Sequence, residues 1–141
     1  MQIYFSCSIT GGRNEEHIYQ KIVELLEKEG HQVPTAHLST PQVMELEAVV
    51  DAVDTYQRDM RWLEEADAVV AEVSTPSHGV GYEIATALAQ QKPVFCCYHR
   101  NKKVSKILTG NTHPSLVLAP YSTDEEALGL LRQFLAQLNA A

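Results

Sequence analysis

Short apolar runs alternate along this chain with longer segments whose apolar residues recur every three to four positions, the two periods of strand and helix. Gln2-Ile3-Tyr4-Phe5-Ser6 reads as a first strand, followed by a Ser/Gly/Thr loop up to Arg13. A helix is predicted from about Glu15 to Glu29, with Ile18, Ile22, Leu25 and Leu26 on one face and Gly30 as its stop. His31 to Thr35 reads as a weaker second strand, and Pro41 to Glu65 as one long helix carrying Val43, Leu46, Val50, Val53, Met60 and Leu63. Ala68 to Val73 makes a third strand, Val80 to Gln90 a helix, Pro93 to Tyr98 a fourth strand and Ser115 to Leu118 a fifth. The last helix begins at Thr123 or Asp124, where Thr123-x-x-Glu126 fits a capping box, and turns Leu128, Leu131, Leu135 and Leu138 inward.

Strands alternating with helices, and near-continuous Val/Ala runs in the central strands, imply a parallel sheet covered on both faces. With right-handed crossovers the expectation is a flavodoxin-like (Rossmann-like) three-layer α/β sandwich, with a five-stranded parallel sheet of order 2-1-3-4-5. Strands one and three then flank the point where strand order reverses. Their following loops, Ser6–Arg13 and Ser74–Glu83, should line one crevice, bringing together Tyr4, the Ser/Gly/Arg loop and Glu83. With no internal repeat, low-complexity tract or linker, residues 1–141 are expected to form a single domain.

Composition narrows the function. Apolar residues make up 45% and charged residues 21%, as in a globular protein in water, and no stretch approaches the roughly 20 apolar residues of a membrane span. A formal charge of −7 argues against a nucleic-acid polymer as partner. Three cysteines, Cys7, Cys96 and Cys97, are read as buried reduced thiols, which with the lack of a secretion signal points to the cytoplasm. Six scattered histidines and no C-x-x-C predict no metal site.

Three constellations could carry chemistry. Ser6-Cys7-Ser8-Ile9-Thr10-Gly11-Gly12-Arg13 combines hydroxyls, two glycines, a helix start and an arginine, which suit a phosphate or sugar; a polar solvated loop would look similar. It is no dinucleotide fingerprint, because G-x-G-x-x-G is missing. Glu83, after Pro76-Ser77-His78-Gly79-Val80-Gly81-Tyr82, falls in the expected first helical turn, where it would also complement the helix dipole. Asp59, between Arg58 and Arg61, is either a solvated charge or the second carboxyl of a glycosidic pair: one attacks the anomeric carbon, the other protonates the leaving group. In Arg100-Asn101-Lys102-Lys103-Val104-Ser105-Lys106, four of eleven basic residues fall within seven positions, a charged surface loop or an attraction for an anion. His37 sits where it would edge the crevice, and His78 lies in the Glu83 loop.

Taken in order, Ile3 to Arg13, Asp59 to Val73 and Pro76 to Glu83 resemble the nucleoside 2-deoxyribosyltransferase superfamily, and most closely its 2′-deoxynucleoside 5′-phosphate N-hydrolase branch, over about residues 2 to 118. The resemblance implies that Glu83 is the nucleophile on C1′ of the deoxyribose, Asp59 the general acid beside the base, and Tyr4 the residue that orients Glu83. It implies a sugar-phosphate site at Ser8, Ile9, Thr10, Gly11, Gly12, Arg13, Ser77 and Gly79, with Thr10 standing where that branch carries arginine. Ser105 would reach the phosphate from a neighbouring subunit, so a homodimer with sites completed across subunits is expected. The transferase branch places an asparagine there, so Ser105 in a lysine-rich loop favours a nucleotide over a free nucleoside. The implied activity is hydrolysis of deoxynucleoside 5′-monophosphates to a free base and 2-deoxyribose 5-phosphate without a cofactor. Base exchange on unphosphorylated nucleosides is the alternative, and a mononucleotide-binding module without chemistry is another.

Overall fold

The structure, a computed structural model, describes residues 1–140. One parallel sheet holds β1 (Ile3–Ser6), β2 (Ala68–Glu72), β3 (Val94–His99) and β4 (Leu116–Tyr121), paired in the order β1-β2-β3-β4. The register sets Tyr4 beside Val69, Val70 beside Phe95 and Cys97 beside Ala119. The helices are α1 (Glu16–Lys28), α2 (Val43–Ala48), α3 (Ala52–Glu65), α4 (His78–Ala89), the one-turn α5 (Lys106–Thr109) and α6 (Asp124–Ala140), with a 3-10 turn at Ala36–Ser39.

Alternation along β1 divides the core. Ile3 and Phe5 pack with Ile18, Ile22 and Leu26 of α1 and Leu131, Phe134 and Leu135 of α6. Tyr4 points the other way, into a cluster with Leu63 of α3 and Val80, Ile84 and Ala87 of α4. Both clusters are closed to solvent, so truncating Leu131 or Ile84 to alanine should cost about 2–5 kcal/mol. Cys7, Cys96 and Cys97 are free and buried, and burial pushes the Cys7 thiol up to about 12 although Arg13 beside it pulls the other way.

The sheet has four strands, not the five expected. The segment after α1 touches β1 at one residue: Ile3 N–H donates to Gln32 O (2.8 Å) and Gln32 N–H to Met1 O (3.0 Å). Pairing then stops because Pro34 has no N–H to give. The buried Thr35 hydroxyl takes over the strand's task, accepting from Phe5 N–H (2.9 Å) and donating to Phe5 O (2.8 Å). The other four strands keep the neighbours expected of them, and the last extends to Tyr121.

The expected helix Pro41–Glu65 is two helices. Val49 and Val50 are poor helix formers, and Asp51 turns extended and caps α3 by accepting from Asp54 N–H (2.9 Å). Val43 and Leu63 are buried as expected, whereas Leu46 (48% exposed) and Val53 (64%) face outward. The start of α6 behaves as read: Thr123 Oγ1 accepts from Glu126 N–H (3.1 Å), and Glu126 Oε1 accepts from Ser122 N–H (2.6 Å). Helix α4 starts two residues early, at His78, because Ser77 Oγ caps it by accepting from Val80 N–H (3.4 Å). Glu83 therefore lies in the second turn, and the helix-dipole role expected for a first-turn acid does not apply.

Candidate active site

Tyr4 and Ser6 are two apart on β1 and so share the face that looks at α4. The Tyr4 hydroxyl donates to Glu83 Oε2, and Ser6 Oγ donates to Glu83 Oε1 at 3.1 Å. Burial pushes the Glu83 carboxyl up to about 8. The two hydroxyl donors act against that, since a hydrogen bond to the charged form favours it. The result is a half-buried carboxyl group aimed by the sheet and held on both oxygens.

Glu83 lines a cavity of about 390 Å³ together with Asp59 and Met60 of α3, Thr55, Tyr56, Tyr82, Ile9 and Thr10 of the first loop, and Ser77 and Gly79 at the head of α4. Burial raises the Asp59 pKa from its ordinary value, with Arg58 opposing. Two carboxyls with elevated affinity for a proton thus face one space from two different helices.

Around Asp59 lies a chain of charges. Arg58 Nε donates to Asp59 Oδ1 (2.9 Å) and Arg58 Nη2 to both oxygens of Glu47 (3.0 and 3.2 Å). His37 Nε2 lies 2.6 Å from Glu47 Oε1. The Arg58 guanidinium covers the Trp62 ring at 5 Å or less (4.9 Å to its centroid), and the His37 ring meets the same indole edge-on. His37 therefore stands behind Glu47 and is not among the residues lining the cavity.

The first loop is shaped by close approach. A Cβ on Gly11 would sit 2.3 Å from the Pro76 carbonyl oxygen, so only glycine lets the two loops meet; Gly12 has φ +128°, a backbone that disfavours side chains. Ser8 is fully buried and its hydroxyl has no partner within the described residues. Arg13 is turned inward, donating to Ser8 O (3.1 Å), Thr40 O (3.1 Å) and Cys7 Sγ (3.5 Å), over the Tyr19 ring. Its guanidinium braces the loop from behind. Ser8, Gly11, Gly12 and Arg13 thus build the wall's backbone, while Ile9 and Thr10 line it.

Ser105 caps α5, accepting from Ile107 N–H (3.2 Å), and lines a second, mostly apolar cavity of about 360 Å³ with Lys103, Val104 and His78. Ser77 and Val80 border both cavities, which therefore adjoin at the head of α4. Within the basic loop, Arg100 pairs with Glu126 (3.6 Å) and Lys102 with Glu15 (3.6 Å).

Two contributions escaped sequence reasoning. Ser6 had a readable signal, the two-residue period it shares with Tyr4. Glu72, fully buried at the end of β2, had none: it accepts from Ser74 N–H (2.8 Å), Ser74 Oγ (2.7 Å) and the Tyr121 hydroxyl (2.5 Å), anchoring the segment that leads into α4. Asp67 accepts from Gln2 N–H (2.8 Å) and fixes the start of β1, away from the cavity. Among the described residues, no cluster of three His, Cys, Asp or Glu side chains is placed to hold a metal ion, and no helix is long and apolar enough to cross a membrane.

With this geometry in place, the comparisons with known proteins are decisive at the level of family. The family model described as nucleoside 2-deoxyribosyltransferase matches residues 3–130, which takes in both carboxyls and every loop of the site. The chain belongs to this family. A 5-hydroxymethyl-dUMP N-hydrolase of Esox lucius is 38% identical over 144 residues, covering 99% of each chain. A protein of Methanococcoides burtonii named as a 2′-deoxynucleoside 5′-phosphate N-hydrolase is 37% identical over 116 residues, 82% of this chain and 95% of its own. Among solved structures, the Clostridium botulinum CMP N-glycosidase superposes with a TM-score of 0.72 at 18% identity, covering 95% and 99% of the two chains. The 2-deoxyribosyltransferase of Bacillus psychrosaccharolyticus gives 0.59 at 15% identity, with 90% of each chain covered. Those two likenesses establish the deoxyribosyltransferase-type fold.

Proposed function

We propose that this chain hydrolyses the N-glycosidic bond of 2′-deoxynucleoside 5′-monophosphates, with Glu83 as nucleophile and Asp59 as proton donor. The observation that carries the reading is that these two carboxyls line one cavity, one of them gripped by Tyr4 and Ser6. Relatives named as N-hydrolases of deoxynucleotides, similar over most of the chain, support it.

In the first step a Glu83 oxygen bonds to C1′ as the C1′–N bond breaks. The bond's electron pair passes to the base nitrogen, which takes the proton of Asp59. In the second step water attacks C1′, giving a proton to the Asp59 carboxylate and releasing Glu83 and 2-deoxyribose 5-phosphate. Each displacement inverts C1′, so the sugar configuration is retained overall. A sugar without a 2′-hydroxyl reaches the oxocarbenium-like transition state more easily, and a 2′-hydroxyl would crowd Glu83 and Tyr4. No cofactor takes part.

The phosphate would lie against the first loop and the head of α4, contacted by Ile9, Thr10, Gly11, Gly12, Ser77 and Gly79, with the buried Ser8 and Arg13 setting the loop's shape. Phosphate contacts remote from C1′ supply positioning energy. Ser105 would arrive from the second subunit of a homodimer. Exposed apolar residues close to both cavities support such a contact: Tyr56 (56% exposed), Tyr82 (55%) and Ile107 (81%). We read residues 1–141 as one domain working in the cytoplasm.

Incubation with dGMP, and separately with deoxyguanosine plus free adenine, tests the reading by chromatography. Free guanine and deoxyribose 5-phosphate from dGMP are expected. Exchange of bases on the free nucleoside with dGMP untouched would make the protein a transferase, and no turnover of any deoxynucleoside or deoxynucleotide would leave a binding module.

A further inference from the structure

Residues one apart on a helix point about 100° away from each other, so neighbouring side chains do not ordinarily meet. Yet Arg58 reaches Asp59 at 2.9 Å. Two contacts hold it there: the stack on Trp62, one turn along α3, and the doubly accepted Nη2 hydrogen bond to Glu47 on α2. A guanidinium at this distance would ordinarily keep a carboxylate ionised, which is the wrong state for a proton donor. Glu47 lies on the far side of the same guanidinium and itself lines the cavity.

Resting on the reading of Asp59 as proton donor, we propose that Glu47 is a positioning residue for it. By engaging Nη2 and offsetting the charge of Arg58, Glu47 lets Arg58 pin Asp59 Oδ1 without stripping Asp59 of its proton, and leaves Oδ2 for the departing base. Asp59 is faced by Arg58 on its own helix, Glu47 on α2, His37 on the 3-10 turn and Glu83 across the cavity on α4. Among these, Arg58 and His37 draw its proton affinity down, while burial and the charge of Glu47 hold it up. Glu47 is suited to the task because it stays an anion: burial works against its charge, but hydrogen bonds from His37 and Arg58 hold its pKa below the usual value.

Glu83 sharpens the need. Burial raises the proton affinity of both carboxyls, and only the state with Glu83 ionised and Asp59 protonated is productive. Glu47 favours the proton on Asp59.

The test pairs two variants with two substrates. Glu47→Gln keeps the acceptor for Arg58 and removes the charge; Arg58→Gln removes the cation. Carbon-13 NMR of the Asp59 carboxyl should show it titrating at lower pH in Glu47→Gln and at higher pH in Arg58→Gln. At pH 8, turnover of dGMP by Glu47→Gln should fall about tenfold per unit of that displacement. Turnover of 7-methyl-dGMP, whose base leaves without taking up a proton, should stay within about twofold under the same logic. An Asp59 titration that moves in neither variant overturns the proposal. Equal slowing of both substrates overturns it too, since that is what a merely structural role would give. Should Glu47→Gln fail to fold, Glu47→Ala decides by the same Asp59 titration, which must move to lower pH. A wild-type protein inert toward both nucleotides would count against the N-hydrolase reading itself, and the NMR comparison would still judge Glu47.

Discussion

At the scale of single residues, Glu83 carries the heaviest electrostatic demand. Its carboxyl is buried enough to be pushed up to about 8, so the folded protein holds that proton more tightly than the unfolded chain does. The stability this gives is fully present below the ordinary glutamate value and is lost as pH rises through about 8. Thermal denaturation should therefore show the wild type losing on the order of a few kcal/mol between pH 5 and pH 8. Glu83→Gln, which cannot ionise, should escape that loss and be the more stable protein at pH 8; identical pH profiles would show that the carboxyl is not strained by burial. Tyr4 tests the other side of the balance. Tyr4→Phe removes a donor from Glu83 Oε2, and a hydrogen bond to a charged group is worth about 1.5–3 kcal/mol. Steady-state kinetics should show kcat lower by roughly 10- to 100-fold with KM little changed. A change confined to KM would mean that Tyr4 serves binding alone. At this scale the sequence was legible where position carries the information: Tyr4 and Glu83 come together from the loops expected to meet and Asp59 lines the same cavity, whereas the bond from Ser6 to Glu83 was missed although the two-residue period it shares with Tyr4 could have shown it. Arg13 was not legible, because the pull of Ser8 O, Thr40 O and the Tyr19 ring on its guanidinium depends on a loop path that no local pattern encodes.

Among the elements, those that shape the site are the irregular ones. The missing strand shows why: the apolar pattern of His31–Thr35 fits a strand, but Pro34 ends the ladder and one threonine hydroxyl replaces it. Thr35→Val keeps the shape and removes both bonds to Phe5, leaving a buried N–H and C=O unpaired. Urea denaturation should show a loss of about 2–3 kcal/mol. A value near zero would mean that the segment re-forms a strand. Gly11 joins the first loop to Pro76, and Gly11→Ala would put a methyl group against a backbone oxygen. The two loops must then part, and KM for a nucleotide should rise about tenfold or more while the melting temperature changes little. The break between α2 and α3 was hidden for a related reason: the apolar spacing continues through it, and only the capping geometry of Asp51 ends one helix and begins another. That break sets Glu47 on one helix against Arg58 on the next.

Across the whole molecule, alternation of strand and helix fixed the three layers and the neighbours of four strands, and with them the meeting of the loops after β1 and β2. What local pattern leaves out is anything completed by a second copy. Tyr56, Tyr82 and Ile107 are exposed beside the two adjoining cavities, an arrangement that a lone subunit leaves uncovered. Sedimentation equilibrium should find a dimer. Ile107→Asp should weaken it and lower activity on dGMP together with the dimer fraction; a fully active monomer would remove Ser105 from the site. The central claim is that Glu83 holds the sugar covalently between two displacements, and its stereochemistry gives the most direct measurement. Turnover of dGMP in water containing methanol, read by proton NMR, should yield the methyl glycoside of 2-deoxyribose 5-phosphate as the β anomer, the configuration of the substrate. The α anomer would mean a single displacement with no bond to Glu83, and would contradict the account.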